Sequence, residues 1–459
     1  MGNAESPRAA QSAPMSARQP TAQPPPRHER PFRVLRYRDF RLIWSAEVFS
    51  QTGTQIQRVA VTWQVFELTG DPFHLGLLGL VRFVPLFLFG LVGGVVADRY
   101  DRRQTLILSQ LALLVVTGAL AGLTANGSIT LAWIYGLTAL SALFSAVAAP
   151  TRHALIPTLV PTASIPSAMS MGVLAFQSAG MAGPAIGGVL VASVGIAASY
   201  AVDAATFGLV ALSAFALHSR PTRAAPIISG RAAAMEGLRF LRESPVLLAT
   251  MSLDFLANFF GAITTLMPIF ASEILGGGPQ TLGWLLTAPA AGAVVGATIM
   301  ASRPPLTRPG VGIVAAIIVF GLSITAFALS RNLWLSLAFL AVSGAADSVS
   351  VSQRHTLRNL LTPDRLRGRV AAAHSTFAAG GPQLGDLRAG IVASWSSAPV
   401  AVALGGLAAA LTALLVARQV PDIMRFRWET DHLSVEVTNA EKTGDEGVKR
   451  IDERGSRSI

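Results

Sequence analysis

Long apolar blocks alternate with short polar connections along this chain, and twelve such blocks can be placed on it. LILSQLALLVVTGALAGLTA, Leu106 to Ala125, shows the pattern: it holds no ionisable side chain. Crossing the hydrocarbon of a bilayer takes roughly 20 such residues in a helix. Helices are required because lipid offers the backbone no hydrogen-bond partner. The pattern predicts spans near residues 41–67, 73–97, 104–125, 130–150, 168–194, 197–217, 246–275, 280–302, 310–330, 332–352, 369–393 and 396–418. Glycine and proline recur inside them, which suits close helix packing.

Composition supports an all-α membrane protein. The chain is 51% hydrophobic and 13% charged, against about 25% charged in a soluble domain. No cleavable signal peptide is expected, because residues 1–32 are rich in Pro, Ala, Gln and Arg and read as a disordered tail, as do residues 419–459. There is no cysteine, hence no disulfide or thiol chemistry. The net charge of +11 suggests nucleic acid at first sight, but its distribution argues against that partner. When the spans are threaded through a bilayer, 32 of the 36 Lys and Arg residues fall on one side. Basic residues mark the cytoplasmic side, so both termini are expected in the cytoplasm and the protein in the inner (plasma) membrane.

The chain also resembles itself. PTRHALIPTLVP (Pro150–Pro161) echoes VSQRHTLRNLLTP (Val351–Pro363), with the Arg-His pairs offset by 202 residues. GPAIGG at Gly183 echoes GPQLGD at Gly381. Two six-helix bundles, residues 33–217 and 246–418, joined by a cytoplasmic linker 218–245, fit these offsets. Parallel repeats of this kind place a substrate site between the halves.

One connection is unusually charged: GGVVADRYDRRQ, Gly93 to Gln104, carries five charges in the six residues Asp98–Arg103. The pattern Gly94, Asp98, Arg99, Arg102, Arg103 resembles the loop 2–3 signature of the major facilitator superfamily. AGMAGPAIGG, with Gly183, Pro184, Gly187 and Gly188, resembles the span-5 motif of its antiporters. PFRVLRYRDFRLIW, ADRYDRR and RLRGRV look like the bacterial efflux branch similar to the enterobactin exporter. The resemblance covers about residues 33–418. It implies that spans 1, 4, 7 and 10 line a cavity. It also implies that Asp98 and its arginines latch the halves together on the cytoplasmic side and favour the outward-open state. Helix termini and bidentate arginine–carboxylate pairing suit that role. The family usually has Gly where this chain has Asp101, and Asp tolerates a left-handed turn. Gly183-Pro184 is expected to bend span 5, since Pro removes a backbone donor.

Ionisable groups inside a membrane are functional candidates by default. Glu47, Gln51, Gln55, Arg58 and Thr62 of span 1 fall within about 80° of one another on a helical wheel. An offset of 207 carries Glu47, Gln51 and Arg58 onto Asp254, Asn258 and Thr265 of span 7. Span 10 adds Ser343 and Asp347. Glu47, Asp254 and Asp347 sit roughly 8–12 Å in from the cytoplasmic ends. One or more of them is expected to bind the coupling proton, since partial burial favours a protonated carboxyl and access to water releases it. Static salt bridges are the bland alternative. Arg82, Asp203, Asp386 and Arg388 fall in the outer half and are expected to be structural. Span 4 lacks the basic residue found in many proton–drug antiporters, and His374 reads as a packing residue. Trp63, Phe144, Phe259 and Phe260 read as helix packing or as stacking partners for an aromatic substrate.

Other classes lack their chemistry. The only lysines are Lys442 and Lys449, so no Walker A motif exists, and there is no HExxH or GxSxG motif. No enzyme activity, cofactor or metal is expected. The expectation is a monomeric secondary transporter that exports small amphipathic or aromatic compounds, siderophore-like or drug-like, by proton antiport. An importer or uniporter of the same fold and a nontransporting receptor are the rivals.

Overall fold

In a computed structural model, residues 31–218, 244–303, 306–363 and 366–425 are described, together with Gly2 and Arg239. Most of both tails and of the linker lies outside the described residues. The segment 421–425, expected to be disordered, instead forms a helical turn, with Ile423 buried against Gly310.

Among the described residues the chain forms twelve long helical segments. The first half contains α1 (Arg38–Thr69), α2 (Pro72–Arg99), α3 (Arg102–Ala125), α4 (Leu131–Leu155), α5 (Ile165–Ser193) and α6 (Ile196–Phe215). The second contains α7 (Pro245–Gly261), α8 (Pro279–Ala301), α9 (Pro309–Leu329), α10 (Leu333–Leu361), α11 (Arg367–Trp395) and α12 (Ala398–Gln419). Ten of the segments are long and apolar enough to cross a membrane. The two that fall short by composition are α1 and α11, the helices that carry much of the polar chemistry. α1 spends its polar residues on neighbouring helices: Gln57 donates to Thr117, Gln64 donates to Thr124, and Tyr200 donates to Gln64. Such bonds hold helices together where no hydrophobic gradient exists between them.

Local chemistry sets the ends. Asp71, Thr130, Asn332 and Ser397 cap α2, α4, α10 and α12 through side-chain oxygens. Asp101 departs from expectation. Its φ of −62° is not left-handed, and its carboxylate accepts from the Gln104 N–H as the N-cap of α3. The non-glycine residue at this turn is a capping device.

α7 also differs from the continuous span predicted over 246–275. It stops at Gly261, and Ala262 and Ile263 leave the helix before a 3-10 turn (Thr264–Leu266), a helical turn (Met267–Ile269) and a π turn (Phe270–Ile274). Pro268 explains part of the break, since its ring disfavours α-helical residues before it. The exposed backbone groups find partners on α11: Arg388 donates to the Phe260 carbonyl at 2.9 Å, and Asp386 lies 3.5 Å from the Thr265 N–H. Irregular backbone at membrane depth survives only with such support. Asp386 and Arg388 thus support the break from α11. α5 runs unbroken through Pro184.

The packing repeats. In the first half α1 packs on α5 and α6, α4 on α2 and α3, and α3 on α6. The second half repeats each pairing six helices later: α7 with α11 and α12, α10 with α8 and α9, α9 with α12. The halves meet through two related seams, α5 against α8 and α2 against α11. Backbones nearly touch there. A Cβ on Gly188 would lie 2.9 Å from the Gly283 Cα, and one on Gly76 would lie 2.7 Å from the Gly390 Cα. Gly76 and Gly283 stand at the same 207-residue offset as Glu47 and Asp254.

Both seams lie toward the face opposite the arginine-rich connections, hereafter the basic face. The hydrophobic cores agree. One cluster, running from Val59 and Leu75 to Ala401 and Val402, draws residues at the opposite face from eleven of the twelve segments and from the irregular stretch that follows α7. At the basic face the cores separate: Phe40, Ile43, Leu106, Leu155 and Met171 belong to the first half, and Leu253, Ile313, Ile317 and Leu357 to the second. The molecule is closed at the opposite face and parted at the basic face.

Gly283→Leu should break the α5–α8 seam, because overpacking costs about 1–3 kcal/mol. A single cysteine replacing buried Val191 should then react with a maleimide at least about fivefold faster than in the unsubstituted background. An unchanged rate would mean that the seam does not close this face.

Candidate functional site

The parted halves enclose a chamber whose charged residues occupy two levels. Nearer the basic face, each half holds one buried acid–arginine pair. Glu47 of α1 meets Arg152 of α4 at 2.8 Å, and Asp254 of α7 meets Arg354 of α10 at 2.8 Å. The two pairs are related by the offsets 207 and 202 already visible in the sequence. α4 and α10 extend past their expected ends at 150 and 352, to Leu155 and Leu361, and this brings Arg152 and Arg354 into the bundle. Arg152 thus gives α4 a basic residue in its last turn, paired with Glu47. Sequence reasoning noted the acids and the repeated Arg-His pair separately and did not join them.

The two levels of symmetry then diverge. In the first half Gln51 donates to Glu47, and no second acid joins the pair among the described residues. In the second half Asn258 donates to the carbonyl and carboxylate of Asp254, His374 Nε2 of α11 lies 3.0 Å from Asp254 Oδ2, and Asp347 Oδ1 lies 3.6 Å from Arg354. The rings of His355 and His374 meet edge to face at 5.7 Å. His374 is therefore not a lone packing residue. Arg354 is 4% exposed and serves two acids, whereas Asp347 is 40% exposed and faces the open chamber.

Several expected members lie elsewhere. Thr265 does not share a helical face with Asp254 and Asn258, because the break in α7 intervenes. Thr62 and Ser343 donate to carbonyls of their own helices. Gln55 packs against α5, where a Cβ on Gly183 would come within 2.5 Å of its Cβ. Gly183 and Gly187 pack on α1, as Gly381 and Gly385 pack on α7, while Gly188 faces α8 across the seam. The span-5 motif thus divides its glycines between its own half and the other.

The loop 2–3 arginines bond within their own half. Arg102 donates to the Ala154 carbonyl of α4 at 3.0 Å, and Arg103 donates to the Ala214 and Phe215 carbonyls at the end of α6. Arg99 is exposed, and a Cβ on Gly94 would meet nothing within 4 Å. The Asp98 side chain lies outside the described residues. With the basic face parted, these bonds of Arg102 and Arg103 stay within the first half.

Deeper in, Arg58 of α1, Arg82 of α2 and Arg388 of α11 all lie within electrostatic range of Asp386 of α11. Asp203 of α6 is fully buried beside Gly53 and accepts from the Thr206 hydroxyl, a structural placement as expected. Phe259 and Phe260 lie beneath the Arg388 guanidinium at 5.8 and 5.6 Å. Trp63 donates to Glu67 and belongs to the opposite-face core.

Comparison with known proteins agrees with this architecture. The profile of the transmembrane secretion effector family matches residues 29–441. The chain is 25% identical over 391 residues to the enterobactin exporter of Escherichia coli O1:K1, covering 84% of this chain and 93% of the relative. It is 25% identical over 392 residues to the enterobactin exporter of Salmonella typhimurium, covering 84% and 94%. Among solved structures, it is similar to a bacterial homologue of the human lysosomal transporter Spinster in an inward-facing, unoccupied conformation. That TM-score is 0.65 at 16% identity, over 86% of this chain and 99% of the other. A POT family transporter in complex with a thioalcohol-conjugated peptide gives a TM-score of 0.67 at 11% identity, over 84% and 96%.

Removing one member of a buried ion pair costs about 3–5 kcal/mol, because the other charge is left unpaired. Arg354→Gln should therefore lower the thermal midpoint of the purified protein more than Arg152→Gln, because Arg354 is the more buried of the two arginines and serves two acids. The double variant Asp254→Asn/Arg354→Gln should recover part of the loss. Strictly additive effects would show that the pair is not coupled.

Proposed function

Because the chain belongs to the transmembrane secretion effector family of the major facilitator superfamily, we propose that it is a proton-driven exporter of small amphipathic or aromatic molecules. It is a multi-pass membrane transporter and not an enzyme. The observation that carries the proposed mechanism is the core that both halves share at one face and that divides at the other. A chamber open to one side only, between two halves of repeated design, is what alternating access requires.

The arginine-rich connections support an open face on the cytoplasmic side of the inner membrane, with both termini on that side. Cargo enters the chamber from the cytosol in this state. The name of the 25% identical relatives, enterobactin exporter, favours outward movement and a cargo of that amphipathic, aromatic kind. Closing the cytoplasmic face brings the loop 2–3 segment, with Asp98, Arg99, Arg102 and Arg103, against the second half. The carbonyl bonds of Arg102 and Arg103 position that segment.

Proton coupling falls to the second half. Asp347 meets the open chamber and shares Arg354 with Asp254. A proton on Asp347 leaves Arg354 to Asp254 alone, and a proton on Asp254 releases both Arg354 and His374. Either event changes how α7, α10 and α11 are held together, which is the link between titration and rocking. Glu47, with a single arginine partner, is the weaker candidate of the three.

In proteoliposomes carrying a pH-sensitive dye, a panel of amphipathic and aromatic compounds should include some that drive proton movement under an imposed pH gradient. Asp347→Asn and Asp254→Asn should abolish that movement at normal expression, and Glu47→Gln should weaken it. Cargo exchange that ignores the gradient would instead identify a uniporter. Unchanged proton movement in all three variants would discard the coupling assignment.

A further inference from the structure

Two cations at the inner end of the chamber have no counterpart. Arg58 lies about 16 Å from the opposite-face end of α1, Arg82 about 15 Å from that of α2, and Asp386 about 13 Å from that of α11, so they share one level. Arg58 is exposed, and it shares the helical face of Glu47 and Gln51 on α1. Arg82 is half-buried at the same level. Among the described residues no hydrogen bond or ion pair engages either guanidinium.

The neighbouring charges do not resolve this. Asp386 is within electrostatic range of both arginines but in contact with neither, and its Oδ1 faces the Thr265 N–H at the break of α7. Arg388 adds a third positive charge and is occupied by the Phe260 carbonyl and the rings of Phe259 and Phe260. Asp203 is buried between α1 and α6, away from this level, against Gly53. Three arginines thus stand against one acid. Cations at membrane depth are costly and persist where they are paired or used.

Aromatic faces adjoin the pair. Phe83 and Phe87 of α2 stack at 5.4 Å, and Phe255 and Phe259 of α7 stack at 5.9 Å. Phe83 and Phe255 come from opposite halves and meet at Gly380 of α11, where a Cβ would lie 3.2 and 4.0 Å from their rings. Arginine grips carboxylate or phenolate oxygens through a planar fork of donors.

We infer that Arg58 and Arg82 form the anion-binding end of the cargo site, and that the cargo is an aromatic compound carrying a carboxylate or an ionised phenol. Its ring lies against Phe83 and Phe255 while its charged oxygens meet the two guanidinia. This rests on the transporter reading, and it narrows the cargo from amphipathic or aromatic compounds in general to aromatic anions.

The test is equilibrium binding to the full chain in nanodiscs, without a gradient. The fluorescent probe 2-naphthoate is compared with its neutral isostere 2-naphthamide. The unsubstituted protein should bind 2-naphthoate at least about tenfold more tightly than the amide, as expected for charge-assisted hydrogen bonds. Arg58→Gln/Arg82→Gln should remove that preference, Arg58→Lys should keep part of it, and Arg418→Gln at the end of α12 should leave it intact. If the double variant fails to fold, the single variants Arg58→Gln and Arg82→Gln give the same reading. Equal affinity for the two probes, or a preference that survives loss of both arginines, overturns the inference. A clear preference in a protein that moves no protons supports this site and defeats only the antiport reading.

Discussion

A charge inside an apolar bundle must either find a partner or face water, and that constraint organises this molecule. Lipid tolerates neither a free carboxylate nor a free guanidinium. Glu47 and Asp254 are therefore answered by Arg152 and Arg354 from the ends of neighbouring helices, at equivalent places in the two halves. The same rule governs backbone groups. The break in α7 is tolerated because Asp386 and Arg388 reach across from α11 to the atoms it frees. Exposed charges, such as Asp347 with its shared arginine and Arg58 with no bonded partner among the described residues, stand where the halves part and water can enter.

Symmetry supplies the scaffold and its violation supplies the chemistry. The seams Gly188–Gly283 and Gly76–Gly390 are near-equivalent, so the halves close on one another at one face in a balanced way. The acid–arginine pairs are also equivalent, yet only the second half adds His374 and a further acid. A pair with one acid and one base is a strut. A pair whose arginine is shared between two acids has more than one arrangement of charge, and that multiplicity is what a proton-driven step needs. In the proposed cycle the first half acts as the frame and the second as the part that responds.

Much of this was legible in the sequence, for identifiable reasons. Apolar runs of membrane length are nearly self-announcing, so most spans were placed within a few residues. α1 and α11 were found as spans although composition alone is a weak guide to them, because their polar residues face other helices and the chamber. The candidate acids followed from helical spacing. Their partners did not, because Arg152 and Arg354 read as loop charges until α4 and α10 proved one or two turns longer than their apolar runs. Asp101 was read as a tolerated turn residue, whereas only the backbone angle reveals a cap. The shared face of Asp254, Asn258 and Thr265 failed at a helix break whose signal, Pro268 seven residues before the predicted end, resembles the harmless prolines elsewhere. The Gly76–Gly283 relation was present in the offset, but its meaning needs the seam.

The account depends on the two halves moving as units about the chamber. The chain has no cysteine of its own, so spin labels can be placed in pairs without background: Tyr100 with Asn359 across the basic face, and Ser128 with Arg331 across the opposite face. Distances measured by electron–electron resonance in nanodiscs at alkaline and acidic pH should change reciprocally, one pair closing as the other opens. Fixed distances in both pairs, or both widening together, would contradict it.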